Sequence, residues 1–263
     1  MSRGHIDRDR AVLRVSGPEA RDFLQGLVTN DVRRLEGGPL YAALLTPQGK
    51  YLFDFFLLPD HPSDAGSVLV DVPVDRAAAL AQRLAMYRLR ARVAIDPTDL
   101  AVAVGLGDPP PGAFADPRDP VLGWRAVGNP SRLLAGVDPV EPSELERVRI
   151  GRGVPAGGSE LIPDDSYILE MGFERLNGVD FRKGCYVGQE VTARMKHKAE
   201  LRKGLARVRL DGPAPAPGTV IESAGRPAGT LLSAVDGLGL AYLRFDRVAG
   251  PLTAGGVGLA VDP

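Results

Sequence analysis

Two apolar runs, Tyr41 to Thr46 and Tyr51 to Leu58, meet across Pro47-Gln48-Gly49-Lys50. Proline and glycine in a short polar link between strand-forming residues predict a β-hairpin. Strict alternation places Leu52, Asp54 and Phe56 on one face and Tyr51, Phe53 and Phe55 on the other. The hairpin is therefore apolar on both sides and belongs to an interior. Asp54 is the exception within it. A carboxylate in that setting must be hydrogen-bonded, ion-paired or raised in pKa, because removing it from water uncompensated is costly. A ligand-binding role and a structural ion pair are equal readings of Asp54 at this point.

Around the hairpin the pattern is that of an α+β body. Ala11 to Val15 reads as a strand, and Ser16-Gly17-Pro18-Glu19 as a capping box opening a helix whose Ala20, Phe23, Leu24 and Leu27 face inward. That helix ends at Val28-Thr29-Asn30-Asp31, a polar corner able to bond its own backbone or a ligand. A loop at 61–66 leads to a strand, Val68 to Val72, and a helix from Asp75 to Met86 with Ala77, Leu80, Ala81 and Leu84 inward. Leu89 to Ile95 reads as a strand with Arg88, Arg90 and Arg92 on a single face. Further strands are expected at Leu100 to Gly105 and Arg132 to Ala135, with a proline-rich loop from Pro109 to Pro120 between them and Trp124 in the core. Pro142 to Ile150 predicts a short helix. After Gly204 the pattern changes to short strand-like runs broken by Gly and Pro, so 204–263 is expected to be a small all-β domain, barrel or sandwich.

Charge and cysteine usage narrow the function. The net charge of −1 provides no whole-molecule attraction to nucleic acid or a membrane surface, and no apolar run reaches the ~20 residues of a membrane-spanning helix. One cysteine permits no internal disulfide, which suits a reducing compartment, and a cytoplasmic protein is the expectation. The polar segment Met1 to Arg10 runs straight into a strand pattern, so no signal peptide is expected.

That cysteine lies in the densest polar stretch of the chain, Asp180 to Arg194, where Arg182, Lys183 and Arg194 favour a thiolate at Cys185. From Arg182 to Arg209 nine Lys or Arg stand against two Glu, reading either as a solvated face or as an anion site. Four uses of the thiol are open. Covalent catalysis needs a base, and the histidines are His5, His61 and His197. A metal site within the chain lacks the partner Cys or His that tetrahedral coordination requires. A cluster shared with or passed to another protein needs fewer thiolates from each. A small buried hydrophobe needs none.

Lys183-Gly184-Cys185-Tyr186-Val187-Gly188-Gln189-Glu190, with Ala193-Arg194 after it, resembles the K-G-C-Y-x-G-Q-E signature of the YgfZ family, folate-binding proteins of iron-sulfur cluster assembly and repair. Phe23-Leu24-Gln25-Gly26-Leu27-Val28-Thr29-Asn30-Asp31 is similar to that family's F-L-Q-G-x-x-T-N-D. Thr46-Pro47-Gln48-Gly49-Lys50 and Arg149-Ile150 through Gly153-Val154-Pro155 also fit, in order. The resemblance implies the α+β fold of the glycine cleavage aminomethyltransferase: a folate-binding body of two related lobes over 1–203, with a break near 96–140, then a C-terminal β-barrel over 204–263. It implies tetrahydrofolate as cofactor, with Asn30, Tyr41, Asp54 and Arg194 at its site, and Cys185 as a functional thiol beside Asp54. Cys185 would touch a shared cluster, a folate-linked one-carbon unit or a partner thiol, any iron-sulfur cluster being transient or shared. Iron-sulfur assembly factors and client enzymes are the implied partners. Two positions depart from the pattern. Gly151 stands where the transferase has the glutamate of R-L-E-A-G, which counts against aminomethyl transfer, and Ala199 replaces a glycine after the motif. A folate-dependent one-carbon transferase or demethylase acting on a small amine is the alternative function.

Overall fold

The computed structural model describes residues 1–60, 66–197 and 201–262; His61, in the loop expected at 61–66, and Ala199 lie outside them. The chain opens with β1 (Arg3–Asp7), β2 (Arg10–Ser16) and the short helix α1 (Ala20–Gln25). The hairpin follows as β3 (Leu40–Leu45) and β4 (Tyr51–Pro59), then β5 (Val68–Pro73), α2 (Val74–Arg88) and β6 (Ala94–Pro97). Next come β7 (Ala101–Leu106), β8 (Phe114–Ala115), β9 (Trp124–Gly128), β10 (Asp138–Pro139) and α3 (Pro142–Gly151). After a long irregular stretch, α4 (Gln189–His197) precedes β11 (Lys203–Leu210), β12 (Val220–Ser223), β13 (Arg226–Val235), β14 (Leu238–Arg244), β15 (Leu252–Ala254) and β16 (Val257–Asp262).

These strands form three units. One five-stranded sheet runs β3-β4-β5-β2-β6, a second runs β10-β1-β7-β9-β8, and the last six strands close into a barrel. The hairpin sheet is buried on both faces. Leu52, Phe53, Phe55 and Leu57 pack with α1 and with Leu80 and Leu84 of α2, whereas Tyr41, Tyr51, Phe56 and Leu58 pack against Val154, Ile168 and Phe173 of the irregular stretch. Body and barrel are joined where Leu205 N donates to Glu170 O at 2.7 Å and the Tyr242 hydroxyl donates to the Glu170 carboxylate at 2.5 Å.

The hairpin departs from strict alternation at one residue. Leu44 pairs with Phe53 but Leu45 pairs with Tyr51, so Leu52 is a bulge. A bulge reverses the facing of everything beyond it. Tyr51 therefore joins Asp54 and Phe56 on one face, and Leu52 joins Phe53 on the other, opposite to the expectation for those two residues.

Three local expectations are also corrected. No capping box forms at α1, because the Glu19 carboxylate instead accepts from Arg92 N at 2.7 Å and Arg92 Nε at 3.2 Å. Leu89 to Ile95 is not one strand: α2 runs through Arg88, Leu89 turns out at φ 43°, and pairing starts only at Ala94. Arg132 to Ala135 forms turns, with Arg132 N donating to Asn129 O, rather than a strand.

Candidate functional site

Three stretches distant in sequence meet at the start of α4. Lys183 is buried, and its ammonium donates to Gln25 O at 2.6 Å and to Val28 O at 2.5 Å, satisfying carbonyls freed where α1 ends. Gln25 returns a hydrogen bond from Nε2 to Lys183 O at 3.1 Å, and its Oε1 accepts from Val32 N at 2.8 Å. Burial holds the Lys183 ammonium down at about 8, against the attraction of Asp31 and Asp180. The hairpin turn closes the third side. Gly188 has φ +83°, and a Cβ there would lie 2.5 Å from Thr46 O, while a Cβ on Gly49 would lie 2.8 Å from Val191 Cβ. Only glycine admits both approaches.

Between buried Lys183 and buried Tyr186, Cys185 is exposed. The two neighbours anchor the loop, so the thiol is directed outward, which removes the reading of a buried hydrophobe. Among the described residues, no three His, Cys, Asp or Glu side chains group to hold a metal ion. Arg194 lies on α4, exposed and paired with Glu190 at 3.0 Å.

Asp54 is buried and doubly hydrogen-bonded: the Tyr41 hydroxyl donates to Oδ2 at 3.0 Å and the Tyr51 hydroxyl to Oδ1 at 2.7 Å. The Leu52 bulge makes the second bond available. Burial and the Asp54 charge drive both tyrosine pKa values upward, Tyr41 far upward, so both remain donors. Asn30 is buried nearby, but its amide is committed to backbone, donating to Tyr41 O at 2.8 Å and Asn177 O at 2.7 Å. With Thr29, whose hydroxyl donates to Gly178 O at 2.6 Å, it ties the cysteine-bearing segment to the hairpin. Asp31 accepts from Arg33 N at 3.2 Å and caps a 3₁₀ turn.

Sequence reasoning missed a cavity of about 360 Å³ lined by His5, Arg10, Phe56, Arg118, Trp124 and Arg125 among others; Asn30, Tyr41, Asp54 and Arg194 are not in its lining, and Asp54 reaches it through its charge on Arg10 and Arg118. Arg10, Arg118 and Arg125 lie 5.6, 4.9 and 4.1 Å from the centre of the Phe56 ring. Arg118 also sits 5.3 Å from the Tyr41 ring and pairs with Asp116 at 2.8 Å; burial opposes the charge of Arg10 and Arg118, but Asp71 beside the first and Asp116 beside the second, with a smaller contribution from Asp54 to both, hold their pKa values up. Asp71 holds Arg10 and Arg125 at 2.6 and 2.5 Å. Burial pushes the Asp71 pKa up, but the two guanidiniums outweigh it and hold the carboxyl below its ordinary range. His5 Nδ1 and Arg125 Nε, on two lining residues, are buried without a hydrogen-bond partner among the described residues. The lining combines Phe56 and Trp124 with Arg10, Arg118, Arg125 and Arg149 and with the carboxylates of Asp7, Asp9, Asp116 and Glu146, so its charge is balanced, and a cavity of this size matches ordinary small-molecule sites. Arg118 and Arg125 come from a separate sheet and its loops, and only their adjacency to a Pro-rich loop and Trp124 could have drawn attention to them.

A two-sheet body followed by a closed barrel is the aminomethyltransferase-type fold. The structure is similar over its whole length to the glycine cleavage system aminomethyltransferase T from Bartonella henselae, with TM-score 0.79 across 85% of that chain and 14% identity. Residues 202–263 match the CAF17 C-terminal beta-barrel domain. The chain is 34% identical to the iron-sulfur cluster assembly factor IBA57, mitochondrial, of Mus musculus, over 92% of this chain and 78% of the mouse protein. It is equally identical, with the same coverage, to the Homo sapiens protein of that name, and 31% identical to the Pyricularia oryzae homologue over 91% of this chain and 71% of that one. The chain belongs to the IBA57 family. These relatives are named as mitochondrial, which overturns the expected cytoplasmic location. A single unpaired cysteine reports a reducing environment and cannot distinguish one such compartment from another. No helix of the described residues is long and apolar enough to cross a membrane.

Proposed function

We propose that this chain is a tetrahydrofolate-binding accessory protein that assists assembly or repair of iron-sulfur clusters in client enzymes, in the manner its YgfZ-type motif implies. The observation that carries the reading is the exposed Cys185, held outward by buried Lys183 and Tyr186 on a loop locked to α1 and the hairpin. An enzyme acting alone on a small substrate has its nucleophile in a cleft; a thiol presented on the surface serves a partner. The cluster is cargo, and iron-sulfur assembly factors and client enzymes supply its remaining ligands.

Folate would occupy the cavity around Phe56. Phe56 and Trp124 offer apolar surface to the pterin and aminobenzoate rings, and the glutamate carboxylates would share Arg10 and Arg125 with Asp71 and Arg118 with Asp116. Bound folate supplies a one-carbon carrier or a redox-active pterin. The chain's own residues orient it: the Tyr41 and Tyr51 hydroxyls fix the Asp54 carboxyl in place, and Asn30 fixes the strand that carries Tyr41. Aminomethyl transfer is the weaker reading because Gly151 brings no carboxylate and its carbonyl accepts from Arg207 at 2.8 Å.

Anaerobic calorimetric titration with tetrahydrofolate tests the site. Saturable binding should weaken at least about tenfold, or about 1.4 kcal/mol, in Asp54→Asn. Absence of binding to the unaltered chain would remove the folate half of the proposal.

A further inference from the structure

A second concentration of positive charge lies in a cleft of about 430 Å³ between body and barrel, whose lining includes no residue of the cysteine loop. Its walls include Arg152 and Gly153 after α3, Arg175 from the irregular stretch, Arg207 on β11 and Asp262 on β16. Arg152 is tied to Asp119 at 2.7 Å, and Arg207 lies 3.5 Å from Asp262, which Arg209 also contacts at 3.0 Å. Arg175 is in no ion pair among the described residues; it donates to Arg152 O at 3.1 Å and Gly153 O at 2.7 Å. Those two bonds fix its guanidinium plane without neutralising its charge. Among the described residues, Arg175 is thus the arginine of this cleft with no carboxylate of its own.

The backbone is shaped for this grouping. Gly153 has φ +66°, and a Cβ there would sit 3.3 Å from Arg175 Nη2 and 3.2 Å from Arg207 Cγ. Its missing side chain lets two like-charged groups approach from opposite lobes. Burial, then repulsion from Arg152 and Arg207, lowers the Arg175 pKa. Like charges gathered at such a cost are relieved by a bound anion.

We propose that this cleft binds a phosphate group, which bridges Arg175, Arg152 and Arg207 and fastens the barrel to the body. A planar carboxylate is matched by one guanidinium fork, whereas guanidiniums arriving from three segments suit a tetrahedral oxyanion of higher charge. The cleft has room beyond the phosphate itself, so the source is either the free ion or a small phosphate ester. None of the three arginines lines the cavity around Phe56, so this site is independent of folate.

The test is calorimetric titration of the full chain at constant ionic strength with inorganic phosphate, glycerol 3-phosphate and succinate, repeated with Arg175→Gln and Arg152→Gln. The expected result is saturable phosphate binding, weakened at least tenfold in each variant, with succinate at least tenfold weaker than phosphate. Ester affinity well above that of phosphate supports the proposal with an ester as the source; equal affinity supports it with the free ion. Thermal unfolding without phosphate reports whether either variant is misfolded, and the other is then read. No saturable binding by phosphate or ester, equal binding in a folded variant, or equal binding of succinate overturns the proposal.

Discussion

Lys183 and Gln25, 158 residues apart, hold each other twice: the ammonium donates to the Gln25 carbonyl at 2.6 Å and the Gln25 amide donates back to the Lys183 carbonyl at 3.1 Å. The clasp joins the end of α1 to the loop that presents Cys185. Its cost is a desolvated ammonium, and its return is a thiol whose position is set by buried bonds.

That cost has a pH signature. Burial lowers Lys183 from the ordinary 10.5 to about 8 in the folded chain. Between these values the unfolded chain binds more protons, so the lysine's contribution to stability rises with pH from about 8 upward and is constant below it. Urea unfolding at about pH 7.5 and about pH 9.5, below the tyrosine range, should show a rise that Lys183→Met lacks. An identical pH dependence in both proteins would show that the ammonium is not desolvated.

Gly188→Ala should destabilise the fold where Cys185→Ser does not. At φ +83° with a Cβ only 2.5 Å from Thr46 O, the substitution must shift either the hairpin turn or α4. A loss on the order of 2 kcal/mol, or roughly 4–8 °C in melting temperature, is expected. Calorimetric melting of both variants beside the unaltered protein measures the contrast.

Asp71→Asn should be among the most damaging single changes in the cavity wall. It leaves Arg10 and Arg125 buried without their counter-charge, at a cost of about 3–5 kcal/mol. The folded Asp71 pKa is depressed, so its stabilisation is full above the ordinary 3.8 and is lost as pH falls through the depressed value. Acid unfolding should therefore begin at higher pH in the variant. Coincident acid transitions would contradict the ion-pair account.

Much of this arrangement was legible in the residues because it is local. The hairpin, the inward faces of α2 and the change of pattern that becomes the barrel at Lys203 all follow from spacing, and the motifs were legible through the family resemblance. The Leu52 bulge was not legible, since one extra residue in a uniformly apolar strand changes no pattern while reversing Tyr51. The helix α4 was hidden by its short, mostly polar run, of which only Thr192 is fully buried. The cavity was out of reach for another reason: Arg10 and Phe56 come from one sheet and Arg125 from the other, and periodicity within a strand says nothing of how two sheets meet. Asn30 shows the reverse case, a polar residue with the signature of a ligand contact whose amide serves the backbone.

The assignment of Cys185 as a thiol presented to a partner is tested most directly by measuring reactivation of a client iron-sulfur enzyme in cells or extract lacking this protein, supplied with either the unaltered chain or Cys185→Ser. The exposed, side-chain-unpacked position predicts a variant with unchanged melting temperature and unchanged tetrahydrofolate titration that fails to restore the client's activity. A variant that restores client activity to the level of the unaltered chain would contradict the role given to Cys185.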